Sequence, residues 1–213
     1  MRFMYLACWC IVLAISAASV AAQEASGLLK TENGVLVVWN EPGNYFTVEV
    51  VGKTIDPAGE PPPILLQVDG HFLQIQTTET DPFMKDAKNK DRDDKTILTA
   101  HRDWESNYLS EMLHTKLKVD SEWVKLPNGS DALAWSHDVP DKLRSDKKSS
   151  AKKQLYLTTM KRGRVFMLNT AVTPDDNNEK ALRQLLVDTM KTMKSSDKPL
   201  PLKKAQEQIL QNP

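Results

Sequence analysis

The sequence predicts an α+β protein: a central antiparallel β-sheet with helices packed on it. Three observations carry this. Turn sequences separate β-like runs at three places, DG at 69–70, PNG at 127–129 and KRG at 161–163. A tight turn between two such runs marks a hairpin, and a hairpin means antiparallel pairing. Two further stretches, roughly 96–117 and 174–194, repeat apolar residues at helical spacing. The chain shows no βαβ rhythm and no Gly-rich fingerprint, which excludes a doubly wound parallel sheet.

At the N-terminus, residues 1–22 hold one charge, Arg2, then the run FMYLACWCIVLAISAASVAA that ends in small residues. This is the layout of a secretory signal peptide, with Val20 and Ala22 at the cleavage positions and a mature start near Gln23. The alternative is an uncleaved membrane anchor, since the run is just long enough to span a bilayer. The remaining chain reads as a single domain, residues 23–213, with a core over about 34–194 and a C-terminal tail at 195–213. VLVVW (35–39) and YFTVEVV (45–51) flank the turn residues NEPGN. A Pro-rich loop, 59–63, leads into ILLQV and HFLQIQTT around Asp69-Gly70. SEWVKL and SDALAWSHDV (121–139), then KQLYLTTM and RVFMLNTAV (153–172), make two more hairpins.

The second helix starts at Thr173-Pro174-Asp175-Asp176, which reads as an N-cap, Pro at N1 and an acid at N3. Leu182, Leu185, Leu186, Thr189, Met190 and Met193 form its buried stripe, and Lys191 and Lys194 suit its last turn. A short third helix is expected near 202–211. The charge-rich segments 85–95 and 141–153 read as solvated loops; the second also offers a basic contact for an acidic partner.

Both cysteines, Cys8 and Cys10, lie in the signal-like segment. The mature chain therefore has neither disulfides nor thiol chemistry, and about 190 residues suffice for a core without them. Such a chain fits a bacterial periplasm or cell surface, so the expected location is secreted or periplasmic. The full chain has 28 basic and 28 acidic residues, and loss of Arg2 leaves the charge near neutral. That argues against nucleic acid and anionic membrane as partners.

The order of elements now resembles a known family. A signal-like segment, an early strand with Gly43 and Tyr45 to Val50, a mid-chain helix, a long hairpin and a final amphipathic helix are similar to the PsbP-like superfamily over roughly residues 34–194. The resemblance implies an α/β/α sandwich around a central antiparallel sheet. It also implies a non-catalytic binding or assembly role, because the photosynthetic members are accessory subunits and many bacterial members are exported proteins without an assigned activity.

Known catalytic signatures are missing: there is no G-x-S-x-G, no H-E-x-x-H and no Walker loop. DRDD (91–94) lacks the central Gly and the twelfth-position Glu of a calcium loop. Ser136-His137-Asp138 is no triad, because neighbours on a strand point to opposite faces. Asn128-Gly129-Ser130 matches a glycosylation sequon but is explained as a turn, and Glu111-x-x-His114 as surface.

One pattern stands out. On the first helix, His101, Trp104, Glu105, Tyr108, Leu109 and Met112 share a face. Alternation places His137 with Leu133 and Trp135, and His71 with Leu73 and Ile75. If the helix packs on that side, His71, His101, Glu105 and His137 approach one another. An unpaired buried carboxylate is costly, so the expected arrangement is a polar clamp in which Glu105 meets His101 or another cation. The expected function is an exported, non-enzymatic domain that binds a protein partner or small ligand, without a cofactor. The alternative is a divalent metal such as zinc on the His/Glu cluster, in a metal-binding protein or a metal-assisted hydrolase.

Overall fold

The computed structural model describes residues 26–59, 64–84, 93–141, 151–174 and 178–211. The signal-like segment, most of both charge-rich loops and Asp175–Asp176 lie outside these. Among the described residues there are fourteen elements. They are β1 (Gly27–Lys30), β2 (Gly34–Glu41), β3 (Asn44–Val51), β4 (Ile55–Pro57), β5 (Ile64–Val68), β6 (His71–Glu79), α1 (Asp94–Met112), β7 (Val119–Lys125), β8 (Asp131–Asp138), β9 (Lys153–Lys161), β10 (Arg164–Val172), α2 (Glu179–Thr192), β11 (Lys194–Ser196) and α3 (Leu202–Gln211).

The three expected hairpins form, and the turn residues NEPGN join β2 and β3 into a fourth. The turns Asp69-Gly70 and Arg162-Gly163 have positive φ at both residues, the type I′ geometry that matches strand twist. The strands make two sheets. The large one has the order β4-β5-β6-β10-β9-β8-β7, and the small one β1-β2-β3-β11, antiparallel throughout. The first hairpin therefore leaves the central sheet and builds a second one over it. The segment read as a tail is tied into that second sheet. β11 pairs with β3. The amide of Asn40, 2% exposed, exchanges two 2.9 Å hydrogen bonds with the backbone of Leu200.

The large sheet is covered on both faces. α1 packs on β8 and β9, enclosing Leu98, Leu133, Trp135, Tyr156, Val165 and Met167. On the other face lie α2 and the small sheet, with Val48, Leu66, Phe166, Leu168, Leu186 and Met190 among the enclosed residues. Strand β8 is accordingly buried on both faces from Ala132 to His137. Each large apolar side chain enclosed here contributes about 1.5–3 kcal/mol relative to exposure.

Two helix boundaries differ from expectation. α1 begins at Asp94, where the Asp93 carboxylate accepts from the Thr96 amide at 2.8 Å, and ends at Met112. His114 follows in the left-handed region (φ 48°). α2 is capped by Asn178, whose side chain accepts from Ala181 N at 3.1 Å, so Thr173 and Pro174 lie before the helix. An Asn three residues ahead of a free amide caps as well as a Thr, and two plausible caps in one stretch are indistinguishable by residue type. The C-terminal stripe is otherwise as expected: Leu182, Leu186, Thr189, Met190 and Met193 are buried, and Leu185 is half-buried.

Candidate functional site

The α1 interface holds most of the residues singled out by their pattern. The helix is rotated from the face that apolar spacing suggested. Leu98, His101 and Ser106 are buried, whereas Trp104, Tyr108 and Met112 are exposed by 36, 56 and 53%. Ser106 tolerates the buried side because its hydroxyl donates back to Asp103 O at 3.1 Å. A small, self-satisfied polar residue lets the helix approach the sheet where a large aromatic would not fit.

His101 is completely buried, and neither ring nitrogen has a hydrogen-bond partner. The edge of Phe83 meets its ring at 5.2 Å. Burial without a partner disfavours the imidazolium, pushing the pKa from 6.5 to about 4. Glu105, one turn on, is half-buried, and desolvation raises its pKa. The expected His101–Glu105 clamp is not made. Two residues at i and i+4 can touch, but here His101 is turned into a dry site beside Phe83, where a carboxylate would be desolvated further.

The sheet side holds a second polar group. His137 is 4% exposed. Its Nδ1 lies 3.2 Å from the Asp138 carbonyl and its Nε2 3.3 Å from the Tyr156 hydroxyl. A carbonyl only accepts, so Nδ1 carries the proton and Nε2 accepts from the phenol. Desolvation lowers the His137 pKa, partly offset by Asp138. Tyr156 stacks on Trp135 with centroids 3.7 Å apart and planes 2° apart. Its own pKa is raised, first by burial and then by the charge of Glu105. Sequence reasoning missed Tyr156 as the partner of His137. The register that joins them, Trp135 opposite Tyr156, becomes legible only once β8 and β9 are paired.

His71 belongs elsewhere. It shares a face with Leu73 and Ile75, which belong to the core on the α2 side, so the sheet separates it from His101 and His137. Two alternating patterns do not reveal whether their apolar faces are the same face of a sheet, and here they are opposite. Among the described residues no group of three or more His, Cys, Asp or Glu side chains is placed to hold a metal ion. Ser136 turns away from His137 toward α2, where it meets Arg183 at 3.5 Å.

Open concavities lie on the α2 side. One, about 440 Å³, runs between α2 and β7–β8, with Val124, Ala134 and Leu186 below and Glu122, Glu179 and Arg183 at its rim. Two of its charges are paired with each other, Arg183 with Glu179 at 2.8 Å, and Glu179 also meets Lys153 at 3.0 Å. Another, about 530 Å³, lies at the seam of the two sheets. Phe46, Ile64 and Ile75 form its apolar part; Trp39, Glu41 and Gln76–Glu79 surround it. Trp39 stacks on Phe46 at 6.2 Å and 24°, and Phe46 meets Phe166 edge-on at 5.1 Å. Buried Asn44 locks the seam, donating to Thr77 Oγ1 at 2.7 Å and to Glu41 Oε2 at 3.1 Å. The volume of this pocket is in the range of ligand sites, and its lining mixes apolar Phe46, Ile64, Ile75 and Pro82 with Glu41, Glu79, Arg164 and the polar side chains of Gln76 to Thr78. Sequence reasoning missed this site. Trp39 beside a turn was its one local sign.

Fold and site together define an α+β protein with an antiparallel sheet between a helix and a helix-plus-sheet layer, and with its concave surface at the seam. The chain is similar in structure to the solution structure of cyanobacterial PsbP (CyanoP) from Synechocystis sp. PCC 6803, with a TM-score of 0.46 and 10% identity over 81% of this chain and 98% of that one. The likeness concerns the course of the backbone. No protein family matches the sequence, and no curated protein matches it. No helix among the described residues is long and apolar enough to cross a membrane.

Proposed function

We propose that the protein is an exported, non-enzymatic binding domain whose binding site is the pocket at the seam of its two sheets. The observation that supports this is the seam itself, an open concavity with a rigid aromatic wall and a locked polar rim. The histidines fit general-base or ligand chemistry less well. His101 and His137 are enclosed under α1, and His71 stands across the sheet. A catalytic base needs reach to a substrate proton, and enclosed imidazoles lack it.

The test is a small-fragment library screened by amide and indole NMR shifts on the mature chain. Fragments should cluster at the Trp39 indole and at Thr77. Shifts clustering at His137 and Glu105 instead, or none at the seam, would sink this reading. Export rests on the N-terminal pattern, and the mass of the secreted protein should correspond to a start near Gln23.

A further inference from the structure

We propose that α1 is an acid-released cover: protons taken up by His101 and His137 free the helix from the sheet as one unit while the rest of the fold stays assembled. The inference concerns the face of the sheet opposite the seam and stands apart from the binding role proposed there.

The first observation is how little α1 encloses. Of its nineteen residues three are buried, Leu98, His101 and Ser106, and only Leu98 is apolar. Ile97 and Leu109 are partly buried against the same cluster. α2, with fourteen residues, buries Leu182, Leu186, Thr189 and Met190. An element with few buried apolar contacts opens below the free energy of global unfolding. Its departure bares the sheet face of Leu133, Trp135, Tyr156, Val165 and Met167.

The second observation is what this thin contact contains. His101 is enclosed with both ring nitrogens unpartnered, and His137 lies under the helix, 4% exposed. The groups that face them come from each packed element. α1 supplies half-buried Glu105, β9 the Tyr156 hydroxyl on His137 Nε2, and β8 the charge of Asp138 beside His137. β7 and β10 present apolar Val119, Val165 and Met167, and Phe83 closes the side. At the margin Lys95 meets Asp131 at 3.6 Å, and Arg102 meets Asp103 at 2.6 Å and Ser121 Oγ at 2.9 Å. No carboxylate is hydrogen-bonded to either imidazole among the described residues. A proton arriving on His101 therefore has no anion to meet in the closed form and has water in the released one.

The direction with pH follows. Enclosed, His101 binds its proton only below about pH 4; freed, it titrates near 6.5. Burial shifts His137 the same way. The released form thus binds more protons, and acid favours it. Glu105 opposes this, because burial raises its pKa and it protonates more readily in the closed form. Tyr156, raised above the ordinary phenol range by burial, keeps its proton throughout. Asp93 and Asp131 are held below the usual carboxylate range by the Thr96 side chain and by Lys125, so both stay charged at pH 5. At that pH the closed His101 is about one-tenth protonated and the freed one almost wholly so, which multiplies release about thirtyfold over pH 7.5.

Hydrogen exchange on the mature chain, read as protection factors at pH 7.5 and 5, tests this. The interior amides of α1, Leu98 to Leu109, should share one protection factor, lower than those of α2 and β10, and it should fall about thirtyfold on acidification. His101→Leu should remove most of that fall, and Glu105→Gln should enlarge it. His101→Gln, which does not titrate either, takes the place of the leucine variant if that one fails to fold. Protection in α1 equal to that in α2 at both pH values would mean that the helix leaves only when the whole chain unfolds, and would overturn the proposal. So would α1 protection that does not change with pH, an undiminished fall without His101, or a fall abolished by Glu105→Gln.

Discussion

Replacing His101 by leucine removes a buried imidazole whose two nitrogens have no partner. The substitution is close in volume and turns toward Leu98 and Phe83. At pH 7.5 the ring is neutral and still has one N–H to desolvate. An unmatched buried donor costs about 1–3 kcal/mol, so the variant should be more stable by about that amount. Acid then widens the gap. The folded His101 holds its proton only below about pH 4, whereas the unfolded residue titrates near 6.5. A base with a depressed folded pKa binds more protons unfolded, so the wild type loses stability as pH falls from about 7 to about 4. The full loss is about 3 kcal/mol. Glu105 and His137 face the same layer and also titrate, but both are present in the two proteins and largely cancel in the difference. Urea denaturation of wild type and His101→Leu between pH 4 and 8 measures it. A gap that stays constant with pH, or narrows on acidification, would refute the dry, unpartnered imidazole.

Three other outcomes are set by the packing. Leu186→Ala, at a site 2% exposed between α2 and the sheet, should cost about 2–5 kcal/mol by chemical denaturation; a loss under about 1 kcal/mol would make the helix peripheral. Glu105→Gln should leave stability at pH 7 unchanged or slightly raised, because a carboxylate held against desolvation is relieved of its charge. A clear loss would instead reveal a partner for it. Asn44→Ala should cost about 1–3 kcal/mol, since it removes the bonds to Thr77 and Glu41 from a buried position, and a hydrogen-exchange map should show the loosening at β3 and β6 rather than at α1.

What the sequence determined by itself is local. Asp69-Gly70 and Arg162-Gly163 close their hairpins because two consecutive left-handed residues favour few other turns. The stripe from Leu182 to Met193 makes a helix and chooses its buried face, because one side is apolar throughout. The faces shared by His137 with Trp135, and by His71 with Leu73, were equally legible, since alternation needs only one strand. What the tertiary structure decided is how these pieces meet. Whether the faces of β6 and β8 belong to one side of a sheet depends on strand order and register, and nothing within either strand encodes that. The three-residue strands β4 and β11 exist because a neighbour pairs with them, not because their residues favour extension. The rotation of α1 was settled by which side chains fit against β8 and β9, where compact Ser106 outcompeted the larger Trp104. The seam pocket draws Trp39, Glu41 and Thr77 together from strands of two sheets, so it has no spacing to read. Local patterns report each residue's neighbours along the chain, whereas a site is made by contacts between distant segments, whose geometry is fixed only when the layers pack.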